Sequence, residues 1–423
     1  MNKSLILWSS AALLSLAACN DEAQEGIPLL SGKPAFAVQL SNFNDSAGVA
    51  LIDGEGKLLE AKYLSSGSAL PGLNAAIPSD IALPSTPCGE GDTLTLLARL
   101  MGDFVLQVNL DDSSVIDQFR TQTSTGDTAY SSNPQDLLCL GDGRAVVSRL
   151  GHNEGAAPTD LDRGDDLVVV DLAKGQLLSR IDLGAYQGQV TATDYDTNAE
   201  VVETTFASPG SIVAVGPKHA IVGLSRLSAN FNANTVGQVA LLDLDALTTK
   251  PFAIDGLANC GSVYRVPGRD DAAIVQCAGA YYGNPDNSGL ALVSVTNGEA
   301  KVENVFKVAL EGVSLSSSPT PLGGTRVIAT TANFAKKPDG TRTADKAYVV
   351  DLKDGSYQEL FTASTAGDIG SGSVRADTGL VLVPDLSAGI RVFELKDDQL
   401  TAKDSLPIDP VVPARNIRPL YAF

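Results

Sequence analysis

Short apolar runs alternate with polar turns along the whole chain. A strand of alternating or continuous β-branched residues, usually closing on an acidic or polar residue, is followed by a tight turn and another strand. This unit recurs seven times, at residues 49–53, 105–109, 167–171, 239–243, 290–294, 347–351 and 390–394. Asp53, Asn109, Asp171, Asp243, Ser294, Asp351 and Glu394 close the seven runs. The six intervals between Asp53 and Glu394 average about 57 residues, a propeller-blade period rather than a solenoid one.

Further strands precede these hairpins. Residues 136–140 and 145–150 flank the turn Gly141-Asp142-Gly143. Residues 210–215 and 220–227 precede the fourth copy, and a Ser/Pro-rich strand near 316–322 with 326–330 precedes the sixth. Each copy therefore reads as a four-stranded antiparallel meander, with Gly, Asp and Asn supplying the positive-φ turn positions. The first copy has only three strands, starting at Ala35, while a spare strand remains at 415–423. If the spare strand supplies the missing innermost strand, the ring closes without an open edge. The expected fold is all-β, a seven-bladed β-propeller over residues 34–423. Two β-sandwiches would not explain both the period and the complementary ends. Outside the first residues, no segment has sustained helical periodicity.

Composition narrows the function. The chain has 423 residues, 30 Lys+Arg against 50 Asp+Glu, and a formal charge of -20, which excludes a phosphate-neutralising nucleic-acid binder. Two histidines leave little room for zinc, haem or His-based catalysis. Hydrophobic residues make up 44% and charged residues 19%, so a sizeable core is expected rather than disorder.

The N-terminus is a targeting segment. Lys3 precedes an apolar stretch too short to span a bilayer, and Leu16-Ala17-Ala18 ends directly on Cys19. These four residues resemble the lipobox of bacterial lipoproteins. The resemblance implies removal of residues 1–18, acylation of Cys19 including its sulfur, and a lipid-anchored protein with a tether over 19–33. Acyl chains anchor firmly because each buried methylene contributes about 0.8 kcal/mol. Asn20, where an Asp would imply retention in the inner membrane, implies the outer membrane. Asp21 and Glu22 are a hint of surface export.

The hairpins, best seen in residues 167–184, resemble YVTN-type surface propeller repeats over a third of the chain, although the Tyr-Val-Thr-Asn signature itself is absent. The only tryptophan, Trp8, lies in the cleaved segment. The tryptophan motifs of WD40, sialidase and quinoprotein propellers are therefore missing, which argues against a quinone cofactor.

Four cysteines remain after lipidation, with three possible connectivities in an oxidising compartment. A turn at 267–270 pairs Val266 with Asp271 and sets Cys260 directly opposite Cys277, at a Cβ separation of about 4.5–5.5 Å. Cys88 then pairs with Cys139 by elimination, joining blades two and three. Neither CxxC spacing nor nearby histidines support a metal site from these four.

One face of the disc should carry the long connections, 121–133, 151–165, 185–208, 228–237, 278–288 and 332–345, and function belongs there. Asn42-Phe43-Asn44, Asn230-Phe231-Asn232 and Asn333-Phe334 follow the second strand of blades one, four and six. Ser148-Arg149-Leu150 recurs as Ser225-Arg226-Leu227. Either Asn caps the loop and Phe plugs between blades, or Phe43, Phe231 and Phe334 join Tyr186, Tyr195, Tyr281 and Tyr282 in a surface that stacks on glycan or holds peptide. Asp194, Asp196, Asn198 and Glu200 place oxygens on alternate residues, as a calcium loop does, yet Ala199 and Thr205 stand where an EF-hand requires Gly and Glu. Asp160, Asp162, Asp165 and Asp166 form a second acidic loop. His152, beside Asn153 and Glu154, is a weak candidate general base, with His219 expected on the opposite face. The leading expectation is a binding platform for a protein or glycan. The alternative is a lactonase-like propeller hydrolase with a carboxylate-bound divalent cation.

Overall fold

Continuous apolar runs in the middle strands and alternation in the outer ones suit sheets stacked face to face around an axis. A middle strand is covered on both faces, whereas the outermost strand turns one face to solvent. The computed structural model describes residues 30–421 apart from 89–90, 125–129, 194–198, 230–234, 280–286, 308–314, 317, 332–342, 364–368, 387 and 410.

Blade one contributes β1 (Pro34–Ser41), β2 (Ala47–Asp53) and β3 (Leu58–Ser65). Blade two is β4 (Ile81–Ala82), β5 (Thr93–Ala98), β6 (Phe104–Asn109) and β7 (Val115–Arg120). Blade three is β8 (Pro134–Cys139), β9 (Arg144–His152), β10 (Gly164–Asp171) and β11 (Gln176–Asp182). A separate hairpin, β12 (Gly188–Thr193) with β13 (Glu200–Thr205), precedes blade four: β14 (Pro209–Ala214), β15 (His219–Leu224), β16 (Val236–Asp243) and β17 (Thr248–Ala258). Blade five is β18 (Ser262–Val266), β19 (Arg269–Ala278), β20 (Ser288–Thr296) and β21 (Glu299–Phe306). Blade six is β22 (Thr320–Gly323), β23 (Arg326–Thr330), β24 (Lys346–Asp351) and β25 (Tyr357–Thr362). Blade seven is β26 (Ser373–Arg375), β27 (Leu380–Asp385), β28 (Gly389–Lys396) and β29 (Gln399–Ala402), and β30 (Ala414–Pro419) follows it.

β30 joins blade one as its innermost strand, in the order β3-β2-β1-β30, with Ala37 opposite Arg418 and Gln39 opposite Asn416. The seven-bladed, all-antiparallel propeller closed by its C-terminal strand thus stands as expected. Apolar clusters occupy the spaces between neighbouring blades. Leu167 and Val169 pack toward blade four with Ile212 and Val222, while Val168 and Val170 pack toward blade two with Leu97 and Val105. The period of two therefore supplies two apolar faces from one uninterrupted run. On the outermost β11, Gln176, Leu178, Ser179 and Asp182 are exposed while Ile181 is buried.

Three local expectations need correction. Residues 185–208, read as a plain loop, hold a 3-10 turn at Gly184–Tyr186 and the β12–β13 hairpin, both of whose arms are rich in the β-branched residues Val and Thr. The strand read near 316–322 is confined to β22. The turn before β19 is tighter than expected: Val266 pairs with Arg269 across Pro267-Gly268, Gly268 taking φ 76°. A register shift follows, so that Ser262 faces Gln276 and Cys260 is not directly opposite Cys277. Both expected disulfides nevertheless form, Cys260–Cys277 and Cys88–Cys139, the latter joining the β4–β5 connection of blade two to β8 of blade three.

Candidate functional site: the axial cavity

The innermost strands meet at the axis through small residues. A Cβ on Gly370 would fall 1.8 Å from the carbonyl oxygen of Arg415, and one on Gly210 would fall 2.1 Å from that of Gly261. Side-chain caps reinforce the ring. Asp136, on the innermost strand of blade three, accepts from the backbone N–H of Ser85 at 2.8 Å in blade two and of Ile212 at 2.7 Å in blade four. Burial raises its pKa, against which these donors act. Gln39 donates to the carbonyl of Ile81 and accepts from Asn416 at 2.7 Å.

What remains along the axis is a cavity of about 560 Å³ opening toward the long-loop face. A smaller space of about 280 Å³ lies toward the short turns, reached by Pro267 and Gly268. Ser85, Tyr264 and Arg418 line both and mark a waist between them.

The charge of the lining runs against that of the protein. Arg99, Arg415 and Arg418 border the larger cavity, together with Gln39, Gln135, Gln276, Asn259 and Asn416. No carboxylate borders it among the described residues. Arg99 is neutralised by Asp80 at 2.6 Å. Arg415 donates to the Ser41 carbonyl at 2.8 Å and lies 4.8 Å over the Phe43 ring. Arg418 lies 5.3 Å over the Tyr264 ring and donates to Ser371 Oγ at 3.2 Å. A cationic lining in a low-dielectric passage attracts anions even where the whole surface is acidic.

The expected site residues divide sharply. Phe43 lies at the cavity, half exposed and at φ 61°, so it does not plug an inter-blade space. Asn42 caps this loop, its Oδ1 accepting from the N–H groups of Asn44, Asp45 and Ser46. Tyr186, expected on the binding surface, is instead 1% exposed and packed in the core between blades three and four. The 3-10 turn directs its ring inward. Tyr195, Phe231, Tyr281, Tyr282 and Phe334 lie outside the described residues, as do Asp194, Asp196, Asn198 and Cys19. Glu200 is exposed at the start of β13.

The second acidic loop is occupied by the protein itself. Asp162 accepts from the N–H and hydroxyl of Thr123 and the N–H of Ser124. Asp165 accepts from the N–H groups of Ala207 and Ser208, and burial pushes its pKa up to about 6. Asp166 is bound by Arg149 and Arg180. Among the described residues no group of three or more His, Cys, Asp or Glu is placed to hold a metal.

His152 ends β9 with its ring 4.1 Å from that of Phe206, and its Nδ1 is buried without a partner. Burial and then the charge of Arg163 lower its pKa. It does not line the axial cavity. His219 starts β15, beside the short turn 215–218.

The polar residues of the axis, Arg415, Arg418, Gln39 and Gln276, were not among the sequence candidates. The available signal was Arg415-Asn416-Ile417-Arg418 on the spare strand, since the edge of an innermost strand faces the axial space.

No family model and no curated protein matches the chain. Solved structures do. A Bacteroides fragilis protein provisionally described as a 6-phosphogluconolactonase superposes with a TM-score of 0.53 at 11% identity, covering 92% of this chain and 98% of that one. A Bacteroides uniformis protein with the same provisional description gives 0.52 at 11% identity, covering 91% and 99%. The likeness is one of fold.

Proposed function

We propose that this chain is a lactonase-like propeller that takes a small, anionic sugar-lactone-type ligand into the axial cavity from the long-loop face. The observation that carries the reading is the cavity lining: arginines and amides, with no carboxylate among the described residues. The fold shared with the two Bacteroides proteins supports it. A platform for a protein or glycan has less support, since Tyr186 is buried and Phe43 is the described aromatic candidate that reaches the cavity.

Ring opening consumes one water, breaks the acyl–oxygen bond and yields a hydroxy-carboxylate and a proton. Strained or activated lactones open readily, so orientation and stabilisation of the developing oxyanion by Arg415 accelerate the step without a metal-bound nucleophile. The carboxylate-held cation of the original alternative forms no part of this proposal.

The test is ring opening of a panel of neutral and anionic aldonolactones, followed by proton release above the uncatalysed rate. Turnover of anionic members, reduced tenfold or more by Arg415→Gln, is expected. No turnover of any member overturns the reading. We place the protein at the outer membrane, anchored through Cys19. Cys19→Ala should move it from the membrane to the soluble fraction, and continued membrane retention refutes the anchor.

A further inference from the structure

Arginines of this acidic chain usually find a carboxylate. Arg99 pairs with Asp80, Arg149 with Asp166, Arg269 with Asp271 and Glu303, Arg375 with Asp377, and Arg391 with Asp385. Arg418 does not, among the described residues. Its Nη1 donates to Ser371 Oγ at 3.2 Å and to the Ile417 carbonyl at 3.4 Å, and its Nε is buried without a partner. A guanidinium offers five N–H donors, so most of this fork is unused, and a partly buried cation without a counter-charge is costly.

A second orphan lies on blade five, the blade whose Tyr264 ring Arg418 covers. Gln276 is 1% exposed, lines the same cavity, and its Nε2 has no partner. It pairs with Ser262 on the β18–β19 ladder, two rungs from Tyr264, whose ring lies under Arg418. Tyr264, Arg418 and Ser85 form the waist shared by the two axial spaces. Unused N–H donors, one of them cationic, therefore line the larger axial cavity.

The geometry points to an oxyanion site in the axial cavity on the side of blade five, with Arg418 as its charged donor and Gln276 as its neutral one. The ligand is a small oxyanion, a phosphate or a carboxylate group, held by charge-assisted N–H···O bonds. The inference deepens the lactone reading and rests on the same cavity, which Arg418 and Gln276 both line, but Arg418 is not the residue assigned to ring opening and the anion site is tested without lactone. A bound anion would also tie β30 of blade one to blade five across the axis.

The test uses the full-length lipidated protein in detergent at fixed ionic strength, with no lactone present. Inorganic phosphate and, in parallel, acetate are titrated while the melting midpoint and, for phosphate, the ³¹P linewidth are followed. Saturable binding of either probe is expected, and which one binds distinguishes a tetrahedral from a planar oxyanion. Arg418→Gln and Gln276→Leu should each weaken it tenfold or more. Arg144→Gln, outside the cavity and paired with Asp142, should change it less than twofold. If Arg418→Gln does not fold, Gln276→Leu decides, because it deletes a donor that holds nothing. Absence of saturable binding for both probes, or binding unchanged in Gln276→Leu, overturns the site and leaves the lactonase reading standing. Binding without lactone turnover does the reverse.

Discussion

Arg149 and Asp166 form a bidentate ion pair, Nε to Oδ1 and Nη2 to Oδ2 each at 2.8 Å, with both side chains fully excluded from solvent. The pair sits on adjacent strands, β9 and β10, directly opposite in register. Arg149 also donates to the carbonyls of Thr121 and Leu161, so one side chain fixes two long connections to blade three. Arg180 adds a second cation on Asp166.

Breaking such a pair from one side leaves a buried charge uncompensated, at a cost of about 3–5 kcal/mol. Asp166→Asn should therefore destabilise the propeller by about that amount in urea unfolding, since it strands Arg149 at 0% exposure. Arg149→Met should cost less, because Arg180 still neutralises Asp166. The double variant Arg149→Met, Asp166→Leu should be milder than the sum of its parts. Additive losses would show that the ion pair is not a coupled unit.

Asp165 gives stability a pH dependence of defined sign. Its folded pKa lies at about 6, above the ordinary carboxylate value of 3.8. Between those pH values the folded chain holds a proton that the unfolded chain has released. Stability from this group is thus full below about pH 4 and falls as pH rises toward 6, by about 3 kcal/mol at most. Asp165→Asn should remove that fall. The check is the difference between wild-type and variant unfolding free energies from pH 4 to 7, and a constant difference refutes it.

Closure depends on a contact that only glycine permits. A Cβ at position 370 would strike the Arg415 carbonyl at 1.8 Å, a backbone atom that cannot swing aside. Gly370→Ala should cost about 3 kcal/mol, at the upper end for overpacking, and lower the melting midpoint by several degrees. Gly67 has nothing within 4 Å of its virtual Cβ, so Gly67→Ala should be close to neutral. Equal midpoints for the two variants would rule out the steric account.

The ring was legible in the chain because its evidence is arithmetic: three strands at one end, a spare one at the other, and a repeat averaging about 57 residues between. The axis was not, because each blade contributes a few residues, some fifty positions from those of the next. Gln276 or Arg418 alone looks like any polar residue in a strand. Ser148-Arg149-Leu150 and Ser225-Arg226-Leu227 were visible as a repeat, but their role was not. Arg226 binds the carbonyls of Tyr186 and Val236 as Arg149 binds those of Thr121 and Leu161, so both clamp connections. The acidic loop misled for a related reason. Asp162, Asp165 and Asp166 face inward to backbone and arginine donors, and sequence spacing does not separate a carboxylate that caps a loop from one that holds a cation.

The two disulfides differ in the loop they close, and their contributions should differ accordingly. Cys88–Cys139 spans 51 residues and Cys260–Cys277 spans 17. Chain entropy alone assigns about 4 and about 3 kcal/mol to loops of these lengths. Position reinforces the order, since Cys88–Cys139 joins two blades whereas Cys260–Cys277 stays near blade five, where β18 and β19 are already held by their own ladder. Paired Cys→Ser replacement of Cys88 and Cys139 should therefore lower the unfolding free energy more than the same change at Cys260 and Cys277. Unfolding of both variants in urea under oxidising conditions measures it, and a larger loss from the Cys260–Cys277 pair would show that local packing outweighs loop length.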